Sequence, residues 1–226
     1  LEKDALIGGT TALSGGVLWV PANPVARRLG IHDDRATAET YLRHEAKSAF
    51  NADVVRSFLE NGPEMVRFFE EHTAVRFEAA AKFPDYHSDA PGASQGGRSL
   101  RVNPYDAREL GPHLALLRSP LPEMNIFGTM TISGNEVNDF YHATRSLKSF
   151  WHVSRLVARH FLDTALHSRS TRLTNGNALA ARLARTAIDA GVKIRTRSAL
   201  QSVIIEQGRA VGVRVATPEG ERELRA

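Results

Sequence analysis

Several features that would define function are missing from this chain of 226 residues. It has no cysteine, which excludes disulfide bonds, thiolate metal sites and covalent catalysis by cysteine, and which suits a reducing compartment. No apolar run approaches the roughly 20 residues that a membrane-spanning helix needs, and no signal peptide is visible. The histidines show no HExxH pattern and no nearby carboxylate cluster, so no metal site is predicted. The sequence therefore predicts a cytoplasmic protein without a membrane span.

A concentrated block of positive charge is also missing. Lysine and arginine outnumber aspartate and glutamate by 29 to 25, but the basic residues are spread along the chain. A nucleic-acid-binding protein usually concentrates such charge on one face, so no nucleic-acid partner is expected. Mild basicity serves an enzyme that holds an anionic pyrophosphate equally well. The length fits one large domain or two small ones, and 42% hydrophobic residues suffice for a core.

The opening stretch LEKDALIGGTTALSGG combines an acidic residue with two glycine pairs. The pairs Gly8-Gly9 and Gly15-Gly16 let the main chain approach an anionic group and offer N–H groups to it. A carboxylate just upstream, here Glu2, is what a nucleotide-binding βαβ unit uses to hold a ribose hydroxyl. We therefore predict that the chain begins inside a dinucleotide site. No Met and no GxGxxG precede Glu2, so we interpret the chain as an excised or truncated piece; the alternative is an ordinary glycine-rich loop after a short strand.

Hydrophobic periodicity predicts a mainly helical middle and a β-rich end. The predicted helices are Asp34–Phe50, Ala52–Asn61 (ended by Gly62-Pro63), Glu64–His72, Phe150–Ala165 and Asn175–Ala190. Residues 82–105, rich in Pro, Gly, Ser and Asp, are predicted to form a functional loop. The predicted strands at the end are Val192–Thr196, Ala199–Glu206, Arg209–Thr217 and Glu221–Leu224, and turn residues between the last three indicate an antiparallel meander.

These segments together resemble the FAD-binding flavoproteins of the fumarate reductase and ketosteroid dehydrogenase superfamily. The phrase GGTTALSGGVLWVPANP (residues 8–24) looks most like the 3-ketosteroid delta-1-dehydrogenases, and residues 83–100 and 176–183 are similar to two further stretches of that group. The resemblance implies an α/β (α+β) fold. It would be a partial FAD-binding Rossmann-like domain of the glutathione-reductase type, with a largely helical insertion and a C-terminal β-meander. The expected division is 1–24 for an FAD-binding loop segment, 25–172 for the insertion with a substrate-side loop at 82–105, and 173–226 for the helix, strand and meander.

The resemblance also implies roles for individual residues. Glu2, with Lys3 beside it, would bind the adenosine ribose of FAD, and the backbone of Leu200 would meet the adenine. Tyr86 would be a catalytic residue that faces the substrate beside the flavin. The pyrophosphate and flavin side would be lined by Gly8, Gly9, Thr10, Thr11, Ser14, Gly15 and Gly16. The family's GxGxxG loop is absent here, and further catalytic groups, including the residue that abstracts a proton, are expected beyond Ala226.

The activity that follows is that of an FAD-dependent oxidoreductase acting on a carbon–carbon bond next to a ketone. A protein base would remove the acidic α-proton while hydride passes to the flavin. The expected partner is a small hydrophobic, steroid-like ketone; the external electron acceptor stays open. Two alternatives remain: a fumarate/succinate-type flavoprotein reductase, and a non-catalytic helical binding module in which the glycines serve only as turns.

Overall fold

The computed structural model describes residues 1–225 of the chain, which contain six α-helices and eight short strands. The helices are α1 (Pro24–Arg28), α2 (Arg35–Ala46), α3 (Ala52–His72), α4 (Val137–His142), α5 (Leu147–His167) and α6 (Asn175–Asp189). The strands are β1 (Leu18–Trp19), β2 (Phe77–Ala79), β3 (Ser99–Val102), β4 (Tyr105–Asp106), β5 (Arg172–Leu173), β6 (Ala199–Glu206), β7 (Arg209–Thr217) and β8 (Gly220–Arg225). Short 3-10 segments lie at Thr11–Leu13, Lys47–Ala49, Ala107–Leu116 and Pro122–Met124.

The strands form three small antiparallel sheets. Their orders are β1-β3-β2, β4-β5 and β6-β7-β8. The first sheet brings Trp19 opposite Ser99, which joins the segment after the glycine loop to the end of the loop that contains Tyr86. The third sheet is the predicted meander, which is confirmed with its two tight connections.

Helix α6 lies against the core with a face made of small residues. The buried residues on this face are Gly176, Asn177, Ala178, Ala180, Ala181 and Ala184. Small side chains let the neighbouring backbone come close, and the 3-10 turn at Thr11–Leu13 packs directly on this helix. The larger core residues around it include Val66, Leu100 and Leu173, which are 0 to 3% exposed. The prediction of this helix is confirmed, and Gly191 follows it at a φ of +73°.

Helix α3 corrects the prediction that Gly62-Pro63 ends a helix. It begins after Asn51, whose side chain caps the N–H groups of Asp53 and Val54, and it continues through Pro63 to His72. A proline inside a helix removes one hydrogen bond and disfavours the preceding turn. Here Leu59, Gly62 and Val66 are buried along the same face, so tertiary packing outweighs that local preference.

Two further expectations are corrected. The predicted loop 82–105 contains β3, because Ser99, Leu100 and Val102 are buried between β1 and β2. No regular strand forms at residues 192–196, although this segment pairs with the start of the chain. The N–H of Glu2 donates to the Arg195 carbonyl at 2.8 Å. The Glu2 carbonyl accepts the N–H of Ser198, whereas a regular parallel ladder would use the N–H of Arg197.

Candidate cofactor and substrate site

The glycine loop at residues 8–16 is shaped by two different uses of glycine. Gly8 has a φ of +108° and Gly9 one of +49°, a region that side-chain-bearing residues rarely adopt. A Cβ on Gly9 or Gly15 would meet nothing within 4 Å, so both face open space. Such positions present bare main chain to whatever occupies that space.

Gly16 has the opposite environment. It is buried, has a φ of +62°, and a Cβ there would lie 2.4 Å from the Asn175 carbonyl carbon. Across the same contact, a Cβ on Gly176 would lie 1.9 Å from the Thr11 carbonyl oxygen, and the Gly176 N–H donates to the Ser14 carbonyl at 3.0 Å. The loop and the start of α6 therefore touch backbone to backbone.

Five N–H groups of this loop keep their hydrogen-bonding capacity free. Within residues 1–225, those of Gly8, Gly9, Thr10, Thr11 and Gly15 donate to no protein acceptor. The N–H of Gly16 is the exception among the glycines of the two pairs, because it donates to the Ser14 hydroxyl at 3.1 Å. That hydroxyl in turn donates to the Thr11 carbonyl at 2.9 Å. Free donors beside two open glycine positions suit an anionic group such as a diphosphate.

The predicted ribose and adenine residues lie at the other end of the first segment. Oε1 of Glu2 accepts the Asp4 N–H at 2.8 Å. Lys3 is exposed and lines an open depression of about 520 Å³ with Arg197 and Ala199. Leu200 follows Ala199 in β6, opposite Val215, and is 56% exposed. The structure thus brings Glu2, Lys3 and the start of the meander together, as the assignment of these residues requires.

Tyr86 stands at an apolar cavity of about 430 Å³. Its side chain is 95% exposed, and the cavity is lined by Val17, which follows Gly16 directly, and by Trp19. Tyr41, Leu42 and Phe83 complete the apolar part of the wall. The predicted catalytic residue and the end of the glycine loop therefore border one cavity.

Behind this cavity lies a buried charge cluster that sequence reasoning did not predict. The Arg98 side chain is 1% exposed and donates to Asp33 through Nε at 2.9 Å and Nη2 at 2.8 Å. Its Nη1 donates to Asp85 at 2.8 Å and to the Gly92 carbonyl at 2.9 Å. Asp85 and Arg98 share the stretch 83–100, but Asp33 lies on a separate segment and no local pattern connects it to them.

The opposite side of the cavity carries a second polar group of residues. Nδ1 of His87 lies 2.6 Å from a carboxylate oxygen of Glu45 on α2. The hydrogen bond from His87 lowers the pKa of Glu45. Burial raises the pKa of the Tyr41 hydroxyl, and the nearby charges of Glu45 and Asp85 raise it further. Tyr41 therefore keeps its proton throughout the neutral range.

A second cavity, of about 470 Å³, is lined by several arginines. Their donors are largely used inside the protein: Arg182 binds the carbonyls of Ala74 and Pro104, and Arg159 binds Asp106 at 2.8 Å. A hydrogen bond from Arg108 holds the pKa of Asp106 at about 2. Burial raises the pKa of Tyr105 to about 12, and the nearby charge of Glu109 raises it further. Within residues 1–225, the Tyr105 hydroxyl has no hydrogen-bond partner. This cavity shares no lining residue with the cavity that Tyr86 borders.

None of the helices within residues 1–225 is both long and apolar enough to cross a bilayer. The same residues contain no cluster of three or more His, Asp or Glu side chains with the geometry of a metal site.

Comparison with known proteins identifies relatives of this chain. It is 41% identical over 193 residues to a 4-oxocyclohex-2-ene-1-carboxylate 5-dehydrogenase of Sinomonas cyclohexanicum, covering 85% of this chain and 32% of that protein. It is 31% identical over 228 residues to a 3-oxosteroid 1-dehydrogenase of Comamonas testosteroni, covering 99% of this chain and 39% of that protein. The chain thus spans roughly a third of these relatives' length.

The fold agrees with these relationships. The structure superposes on that of a 3-ketosteroid delta1-dehydrogenase from Sterolibacterium denitrificans, solved in complex with 1,4-androstadiene-3,17-dione, with a TM-score of 0.85 and 27% sequence identity. The superposition covers 100% of this chain and 41% of the other. The mixed helices and small antiparallel sheets are therefore those of an FAD-binding flavoprotein. A family model described as an FAD binding domain matches residues 1–226. The chain belongs to this FAD-binding family, and its cofactor is FAD.

Proposed function

We propose that this chain is part of an FAD-dependent dehydrogenase that oxidises a carbon–carbon bond next to a ketone. The proposal rests on one observation, that the glycine loop leads directly into the apolar cavity. Free backbone N–H groups at residues 9–11 and 15 lead through Val17 into an apolar cavity, and Tyr86 stands at that cavity. A loop that suits a diphosphate and a slot that suits a flat apolar molecule are thereby neighbours.

On this proposal the cofactor is held mainly by main chain. Gly9, Thr10, Thr11 and Gly15 would donate N–H groups to the pyrophosphate and flavin side, while Gly8 and Gly16 shape the loop. The Thr10 and Thr11 hydroxyls and Ser14 lie beside these donors. Glu2 would accept ribose hydroxyls through its second carboxylate oxygen, with Lys3 next to it and the Leu200 backbone near the adenine. The proposed domain boundaries follow residues 24 and 172. The first and last parts together would form a partial Rossmann-like unit.

The chemistry of the site divides between cofactor and protein. When bound, FAD supplies the hydride acceptor of the reaction. Tyr86 would donate a hydrogen bond to the substrate carbonyl or relay a proton. Its nearly complete exposure leaves the hydroxyl free for this role. Trp19 and Phe83 would exclude water from the flat faces of the substrate.

The charges around the cavity favour a neutral ketone as substrate. The ionisable groups that line it are the acidic residues Asp85 and Glu45 together with tyrosines. Arg98, the nearest buried cation, is already bound by two carboxylates. A carboxylate-bearing ring, like the one in the name of the Sinomonas relative, would meet the negative charge of Asp85 and Glu45 among the lining residues of this cavity. We therefore propose a steroid-like hydrophobic ketone rather than an oxo acid or a fumarate-type dicarboxylate.

Single-turnover reduction of the flavin tests this proposal in the complete protein, because it needs no external electron acceptor. The purified protein is mixed without oxygen with 4-androstene-3,17-dione or with 4-oxocyclohex-2-ene-1-carboxylate, and the flavin absorption is followed. We expect the steroid ketone to bleach the flavin at least about tenfold faster. Faster bleaching by the carboxylate would assign the oxo acid as substrate, and a colourless protein would support the binding-module alternative.

Two variants test the residue roles. Tyr86→Phe should lower the rate of flavin reduction by about 10²- to 10⁴-fold, the usual range for an acid–base group, without changing flavin content. Glu2→Ala should weaken FAD retention and leave the fold intact, because it removes hydrogen bonds at an exposed end of the chain. Wild-type turnover in the first variant, or full flavin occupancy in the second, would remove the corresponding residue from the site.

A further inference from the structure

The side chain of Asp85 joins three parts of the proposed substrate site. Its Oδ1 accepts the Trp19 indole N–H at 2.7 Å, and its Oδ2 accepts both Arg98 Nη1 at 2.8 Å and the Ser94 N–H at 2.9 Å. The backbone N–H of Asp85 donates to the Ser94 carbonyl at 3.0 Å. One carboxylate thus fixes a wall of the cavity, a buried cation and the far side of its own loop.

Tyr86, the next residue, has no such support. Its side chain is 95% exposed, and within residues 1–225 its hydroxyl makes no hydrogen bond. Its position is therefore set by the backbone on either side. On one side stands Asp85, and on the other His87, whose ring lies 2.6 Å from the Glu45 carboxylate.

The buried charge cluster is poorly suited to stabilising the fold alone, because burying charge costs desolvation free energy. One guanidinium stands between two carboxylates, so the group carries a net negative charge away from water. Buried ion pairs are often no better for stability than apolar residues of the same size, and their use to fix one conformation is attested in some proteins. The conformation fixed here is that of Trp19 and of the loop that carries Tyr86.

We infer that Asp85 is a positioning residue of the proposed substrate site, which holds Trp19 in the cavity wall and aims the neighbouring Tyr86. The inference rests on the proposed function, because it assumes that Tyr86 faces the substrate. Asp33 serves as the comparison. It binds the same guanidinium through two hydrogen bonds, but its other partner is the Ala22 N–H and it does not line the cavity.

The test compares Asp85→Asn with Asp33→Asn in the complete flavin-containing protein. Asp85→Asn should lower the limiting rate of flavin reduction at saturating ketone by about tenfold to 10²-fold, the range that a small misplacement of reacting groups produces. Its ketone dissociation constant should change less than this rate, and its flavin content should not change. Asp33→Asn should lower the denaturation midpoint at least as much, with a reduction rate within about threefold of the wild type.

A double variant separates a failure of this inference from a failure of the proposed function. If Asp85 acts through Tyr86, adding Asp85→Asn to Tyr86→Phe should produce little further loss of rate. A slow Tyr86→Phe with a normal Asp85→Asn would overturn the inference alone. A normal Tyr86→Phe would instead overturn the role proposed for Tyr86.

Trp19→Phe provides a second route if Asp85→Asn does not fold. It removes the indole donor but leaves the ion cluster and the aromatic wall in place. We expect about a threefold to tenfold lower reduction rate with unchanged flavin content. A wild-type rate in this variant would contradict the proposed anchoring of Trp19 by Asp85.

Discussion

The glycine loop and the loop that carries Tyr86 both use close glycine contacts, but only the second adds a buried ion cluster. Residues 8–16 touch the start of α6 backbone to backbone, because Gly16 and Gly176 have no side chains. Residues 80–98 have such contacts at Gly92 and Gly96, and long side chains hold them as well, with Arg98 reaching Asp85 and Asp33 from a buried position. One surface would hold a cofactor through main-chain donors, and the other presents side chains to a substrate.

The difference separates two kinds of sensitivity to mutation. A backbone contact tolerates no added atom, whereas an ion cluster tolerates shape changes but not the loss of charge balance. The predictions below test this contrast, from the largest expected effect to the smallest.

Gly176→Ala should have the largest effect on stability. Its Cβ would lie 1.9 Å from the Thr11 carbonyl oxygen, so the loop and the helix would have to separate. We expect a loss of about 3 kcal/mol or more in the free energy of unfolding, or no soluble protein. Urea denaturation measures this loss.

Gly15→Ala is the matched control, because its Cβ would enter open space. Its apo stability should stay within about 1 kcal/mol of the wild type, while FAD retention should fall if the cofactor occupies that space. Equal stability losses in the two alanine variants would contradict the backbone-contact explanation.

Arg98→Met should be almost as damaging. It leaves two carboxylates buried without a cation, which typically costs about 3–5 kcal/mol. Arg222→Met is the control, since Arg222 pairs with Glu219 at an exposed position and should contribute less than about 1 kcal/mol. Thermal or urea denaturation of both variants measures the two losses of stability. Comparable losses would show that burial does not govern the strength of these ion pairs.

Asp106 provides an ion cluster of intermediate exposure and a pH test. The hydrogen bond from Arg108 lowers the pKa of Asp106 from 3.8 to about 2 in the folded protein. Its stabilisation is therefore complete above pH 3.8 and is lost as the pH falls toward 2. Asp106→Asn should lower stability on the order of 1–2 kcal/mol at pH 6, and the difference from wild type should disappear near pH 2. A pH-independent difference in urea denaturation would contradict this assignment.

Tyr105→Phe should have the smallest effect near neutral pH. The buried hydroxyl has no partner in the part of the chain that the structure describes, so its removal should change stability by less than about 1 kcal/mol, in either direction. Because burial raises the pKa of Tyr105 to about 12, the wild type should lose stability as the pH rises from 10 toward 12. The variant should lack this alkaline loss, which denaturation at pH 9 and pH 11 would detect.

Local signals predicted the regular parts of the fold. Helix α6 has a periodic apolar face and Gly191 after it, and the meander has turn residues between alternating strands. Pro63 misled the prediction because its cost is local, while the burial of Gly62 against Val20 depends on the whole fold. Asn175, the first residue of α6, has a φ of +57°, which no local pattern predicts.

The substrate side was harder to predict, because its supporting residues are far apart in the sequence. Tyr86 entered the analysis through a family resemblance, and its exposure beside Val17 fits that assignment. Asp33 and Arg98 are separated by 65 positions, and Trp19 and Asp85 by 66. Charged residues at such separations carry no periodic signal, so only the folded structure shows that they form one cluster.

The contact between Gly16 and Gly176 also limits how this protein can evolve. Neither position can acquire a side chain first, because the nearest obstructing atoms belong to the main chain. Libraries designed to alter cofactor selectivity should therefore keep both codons fixed and diversify position 15, where the space is open and φ is not positive.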